Sequence, residues 1–120
     1  MKPIIKTKEM AAYARRIRQM GKNPHLLATH VSMFAALFVC WQRSGYSNPF
    51  PVNRRMLMSY SRIASTATYH KRIKELETFG YIRYYPSYHP IKGSLVEWPE
   101  DKHANRSADS SIIRSVDNLL

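Results

Sequence analysis

Asn53 to Trp98 reads NRRMLMSYSRIASTATYHKRIKELETFGYIRYYPSYHPIKGSLVEW, and this stretch decides the fold. At its centre Tyr69, Ile73 and Leu76 recur at spacings of four and three, which puts them on one stripe of a helix. Ser65 is its natural N-cap, and Gly80 stands where a helix closes with a left-handed residue. Upstream, Asn53 caps a second, shorter helix over Arg54 to Tyr60, with Leu57 turned inward. Ser61-Arg62-Ile63-Ala64 joins the two helices without Gly or Pro. Downstream, Tyr81 to Tyr85 and Ser94 to Trp98 are rich in aromatic and β-branched residues and read as strands. Strand alternation puts Tyr81 and Tyr85 on one face and Tyr84 on the other. The loop between the strands, Pro86 to Gly93, makes them a hairpin.

Leu26 to Arg43 is apolar nearly all round, as expected of a central helix that its neighbours bury. It falls short of the ~20 residues a membrane span needs. A turn cluster, Ser44 to Pro49, stops it, and Phe50-Pro51-Val52 follows as an extended piece. Thr7 to Met20 predicts an amphipathic helix with Met10, Tyr13, Ala14, Ile17 and Met20 on one side and Lys8, Arg15, Arg16 and Arg18 mainly off it. That helix either covers the core or reaches nucleic acid; its thin apolar face disfavours a membrane surface. Beyond Pro99 the chain is a polar tail, in which Ile112, Ile113, Val116, Leu119 and Leu120 have the spacing of a short amphipathic helix. The organisation expected is an N-terminal helix and connector (1–24), a main domain (25–98) and a tail (99–120). The fold class is mainly α with a small β hairpin (α+β).

Charge narrows the function. Lys and Arg number 19 against 8 Asp and Glu, for a formal net charge of +11 in 120 residues. Residues 1–98 hold 16 basic and 4 acidic side chains, and the tail is close to neutral. Such a cationic body attracts polyanions. Cys40 is the single cysteine and lies in an apolar run, so an inert buried thiol is expected. The five His have no metal-binding spacing, the few carboxylates form no acid–base pair, and no Gly-rich phosphate loop is present. These patterns disfavour an enzyme and imply neither metal nor cofactor. The short charged N-terminal stretch is not a signal peptide, so a soluble, cytoplasmic chain associated with the nucleoid is expected.

Helix, extended piece, short helix, turn, longer helix, strand, basic loop, strand is the order of a winged helix-turn-helix, here with an extra N-terminal helix. The stretch Ile73-Lys74-Glu75-Leu76-Glu77-Thr78-Phe79-Gly80-Tyr81-Ile82 resembles the recognition helix end and first wing strand of winged-helix regulators of the MarR type and of plasmid replication initiators. Leu76, Gly80, Tyr81 and Ile82 match their Leu-x-x-x-Gly-Tyr/Leu-Ile pattern. Together with Arg54 to Met58, Ala67 to Lys71 and Pro86 to Ser94, the chain is similar to small basic winged-helix proteins of conjugative transposons in Bacteroides-type bacteria. Among these are excision accessory proteins, the recombination directionality factors. The resemblance implies a protein that binds and bends double-stranded DNA and biases a tyrosine recombinase (integrase) toward excision, with that recombinase and other accessory DNA-bending proteins as partners. Operon regulation through the same fold is the alternative, and a non-catalytic protein-interaction module is a further one.

In this fold the second helix of the pair enters the major groove. Ser65, Thr66, Thr68, Tyr69, Lys71 and Arg72 are therefore the expected recognition-helix contacts. Arg54, Arg55 and Arg62 are the expected contacts from the supporting helix and turn, and Tyr88, His89 and Lys92 those from the wing. Homodimerisation through Thr7 to Met20 or Ile112 to Leu120 stays open.

Overall fold

The computed structural model describes residues 7–87 and 93–99. The expected wing contacts Tyr88, His89 and Lys92, and the expected helix at 112–120, lie outside the described residues. The described chain runs α1 (Thr7–Met20), α2 (Ala28–Arg43), β1 (Phe50–Val52), α3 (Arg54–Ser61), α4 (Thr66–Thr78), β2 (Arg83–Tyr85) and β3 (Ser94–Glu97). It is mainly helical, with a small antiparallel sheet, and the α+β expectation holds at that level. No helix of the described residues is long and apolar enough to cross a membrane.

The sheet differs from the expected hairpin by one strand. Its order is β1-β3-β2, with Phe50 opposite Val96 and Val52 opposite Ser94. Phe50-Pro51-Val52 is therefore an edge strand rather than a mere extended piece. An edge admits Pro51 because its side of the chain faces no neighbour and needs no N–H donor. Phe50 and Val52 are buried and Pro51 is exposed, as strand alternation requires. One step beyond this ladder Asn48 faces Trp98 and supplies with its side chain what a backbone would. Its Oδ1 accepts from the Trp98 N–H (2.9 Å), and its Nδ2 donates to the Trp98 carbonyl (3.3 Å).

The expected shared face of Tyr81 and Tyr85 is overturned. Gly80 (φ +85°) closes α4, with its N–H on the Glu77 carbonyl (3.0 Å) and the Tyr81 N–H on the Leu76 carbonyl (2.9 Å). This paired closure turns Tyr81 and Ile82 into the core before the strand begins. Tyr84 is then half-buried and Tyr85 exposed, so the helix cap and not strand alternation sets where Tyr81 points.

α2 is the centre of the core, with Met33, Phe34, Leu37 and Trp41 fully covered. Trp98 packs edge-on against Phe34 (5.4 Å) and Trp41 (5.7 Å) and at a tilt against Phe50 (5.2 Å), joining the sheet to α2. Tyr13 of α1 stacks on Phe34 (4.6 Å, 6° between planes) and its hydroxyl donates to the Phe34 carbonyl (2.9 Å), so α1 is fixed to the same cluster. Burial pushes the Cys40 thiol up against the opposing pull of Arg43, in line with an inert core cysteine.

Two left-handed glycines give a test. A Cβ at Gly80 meets nothing within 4 Å, whereas one at Gly93 (φ +66°) would sit 2.7 Å from the Val52 carbonyl oxygen. Gly80→Ala is expected to cost only the left-handed penalty, about 1–2 kcal/mol. Gly93→Ala is expected to cost more, because β1 must move as well. Urea unfolding of both variants checks the order, and equal losses would contradict this account of the β1–β3 contact.

Candidate nucleic-acid interface

α3 and α4 are each started by one short polar side chain. Asn53 Oδ1 accepts from the Met56 N–H (2.8 Å), and Ser65 Oγ accepts from the Thr68 N–H (3.2 Å), so both expected N-caps are in place. Between them Arg62 closes α3 in the left-handed region (φ +63°), with the Ile63 N–H reaching the Met58 carbonyl (3.2 Å). A residue with a Cβ is costly there, by roughly 1–2 kcal/mol. In return Ile63 enters the core while the Arg62 side chain stays exposed.

α4 buries Tyr69, Ile73 and Leu76 against α2 and the sheet. The opposite face carries Ala67, Lys71, Lys74 and Thr78, flanked by Thr66 and His70, all exposed. Ser65 is exposed at the helix start and Thr68 half-buried on one flank.

Two expected contacts are corrected by this geometry. Tyr69 is 2% exposed, so its ring is a core element and does not reach a ligand. Burial drives its hydroxyl well above the ordinary tyrosine range, helped by Tyr84 and opposed by the Arg54 charge. Arg72 is turned back onto α2: its Nε donates to Thr29 Oγ1 (2.7 Å) and its NH1 to Glu75 Oε1 (2.7 Å), and its side chain is 13% exposed. The reason is helical phase, since residue 72 falls on the flank of α4 that faces α2.

The same oxygen of Glu75 receives His30 Nε2 (2.8 Å). The other ring nitrogen, Nδ1, accepts the Leu27 N–H (2.7 Å), so Nε2 carries the proton and donates to Glu75. His30 thereby starts α2, which has no polar N-cap, and ties it to α4. Partial burial tends to raise the Glu75 carboxyl, but the His30 and Arg72 hydrogen bonds and the Arg72 charge outweigh it and hold the group below its ordinary range. Glu77 is also engaged, accepting the Tyr84 N–H (3.0 Å).

Arg54 and Arg55 are exposed in the first turn of α3. Val52 pairs with Ser94 and a Cβ at Gly93 would come within 3.9 Å of Asn53 Cβ, so the start of α3 lies beside the base of the β2–β3 hairpin. Arg43 lines a shallow groove with Asn53, Met56 and Gly93 and joins the same surface from the end of α2. Sequence reasoning missed Ala67, His70, Lys74 and Arg43. Ala67 and Lys74 were readable, because a stripe at 69, 73 and 76 fixes 67, 71, 74 and 78 as its opposite, and His70 flanks that face. Arg43 is brought in by tertiary packing alone. No family model, curated protein or solved structure matches the chain.

The lowered Glu75 carboxyl sets a pH dependence. Its contribution to stability is complete above the ordinary glutamate range and is lost as pH falls through the lower folded value. Glu75→Gln is expected to be less stable than wild type at neutral pH and to converge on it in acid. Denaturation midpoints followed from pH 7 to about pH 3 measure this; parallel curves would contradict it.

Proposed function

We propose that the chain is a double-stranded-DNA-binding protein of winged helix-turn-helix form, with α4 as the recognition helix. The observation that carries this reading is the outer face of α4. It presents Thr66, Ala67, His70, Lys71 and Lys74, while Glu75 and Glu77 of the same helix are engaged elsewhere. Small side chains at its capped N-terminal turn permit close approach to base edges, and the cations behind them face phosphate. Support also comes from the element order α2-β1-α3-α4-β2-β3 and the sheet order β1-β3-β2, which put a hairpin beside the helix pair.

The roles divide by position. Lys71 and His70 reach into the major groove with Thr66 and Ser65. Arg54, Arg55 and Arg62 hold phosphates on either side, and the loop carrying Tyr88, His89 and Lys92 takes the adjacent groove or backbone. The excision role implied by the resemblance concerns where the bound site lies, and a recombinase attachment site set against a promoter in the same binding assay tests it.

Lys71→Ala combined with Lys74→Ala is expected to abolish sequence-selective duplex binding and to leave folding unchanged, read by fluorescence anisotropy and circular dichroism. Arg62→Gly gives a sharper test, because its two effects have opposite signs. Relief of the left-handed arginine is expected to raise stability by roughly 0.5–1 kcal/mol. Loss of its phosphate contact is expected to weaken binding and flatten the slope of log K against log salt by about 1. Wild-type binding to duplex no tighter than to single strands would overturn the reading.

A further inference from the structure

We propose that the outer face of α1 is a second phosphate-contacting surface, which extends the duplex footprint beyond the α4 site; this rests on the duplex-binding reading above. α1 turns Ala12, Tyr13, Ile17 and Met20 to the core. Lys8, Arg18 and Lys22 are exposed along the opposite side, with half-buried Arg15 in the same row. The spacing 8, 15 and 18 is one helical stripe, and Lys22 follows it in the turn just after α1. Glu9 falls on the other side of the helix, so among the described residues the stripe holds cations and no carboxylate.

Its placement separates this stripe from a merely solvated charged face. The connection after α1 is folded tightly, with the Asn23 N–H on the Met20 carbonyl (3.1 Å) and the Leu26 N–H on the Asn23 carbonyl (3.2 Å). Lys22 and exposed His25 therefore sit at the start of α2, the same end that Thr29 and His30 bond to Arg72 and Glu75 of α4. Lys22 and His25 thus lie at the end of α2 that is bonded to Arg72 and Glu75, next along α4 to Lys71 and Lys74. The acid group at that end of α2, Glu75, is engaged by His30 and Arg72.

The stripe is also rigidly carried. Besides the Tyr13 stack, Arg16 donates to the Pro99 carbonyl (2.9 Å), which pins α1 to the end of the chain leaving β3. Cations fixed on an anchored helix lose little freedom on meeting a phosphate row, whereas the same charges on a loose arm would lose more. The duplex backbone is the partner this fits, because phosphates recur along it at regular intervals.

The test uses the full chain and a duplex selected by it from random-sequence DNA, prepared at about 12 and about 30 base pairs around the same site. Wild type is expected to bind the longer duplex more tightly, with a salt slope steeper by about 2–3. Lys8→Ala, Arg18→Ala and Lys22→Ala together are expected to remove that gain and to leave binding to the short duplex intact. The charge-retaining set Lys8→Arg, Arg18→Lys and Lys22→Arg is expected to keep it. A triple-alanine variant that still gains from length would overturn the α1 surface alone. Failure of wild type to select any duplex would overturn the DNA-binding reading, and this inference with it.

Discussion

Oε1 of Glu75 accepts hydrogen bonds from His30 of α2 and from Arg72 of its own helix, and Arg72 continues to Thr29. Through the two contacts that cross between the helices, α4 is held on α2 in one rotational setting. Such a partly buried charged network contributes little net stability, since desolvation offsets most of the attraction, but it discriminates sharply between alternative registers. A rotation of α4 by one residue would bring Tyr69 out of the core and expose an unpaired arginine to the helix packed beneath it. The cationic outer face of α4 therefore follows from what its flank is bonded to. One cation, Arg72, is given up to position Lys71 and Lys74.

The sheet rests on a comparable constraint at its far end. Trp98 closes β3 and stands at the meeting point of α1, α2 and β1 through Tyr13, Phe34, Trp41 and Phe50. Asn48 pairs with its backbone and so sets where β1 can begin. Shape rather than polarity governs this cluster, for the indole N–H groups of Trp41 and Trp98 are buried without an acceptor among the described residues. Holding the sheet there aligns its other end, where Ser94 pairs with Val52 just before α3.

Much of this was legible in the chain because the signals are local. Asn53 and Ser65 as caps, Gly80 as a helix end and the 69–73–76 stripe depend on residues within a turn or two of each other, and each appears where expected. Pro51 concealed a strand, since proline argues against pairing unless the strand is known to be an edge. Tyr81 was misplaced because a helix closure overrides strand alternation at the junction. Helical phase sets Lys71 opposite the buried stripe and Arg72 on a flank, but that this flank meets Thr29 of α2 is decided only by packing.

The sequence by itself determined the helices, their caps, the two aromatic strands and the cationic character of the body, because each is fixed by side chains close along the chain. Tertiary structure alone decided that Arg72 is bonded to Thr29 of α2, that Phe50-Pro51-Val52 pairs as an edge strand, and that Arg43 lies beside Asn53 and Gly93. The physical reason is that exposure belongs to a packed arrangement: whether a charge meets solvent or a buried partner depends on elements distant in sequence, and here on a glutamate and a histidine that 45 positions separate.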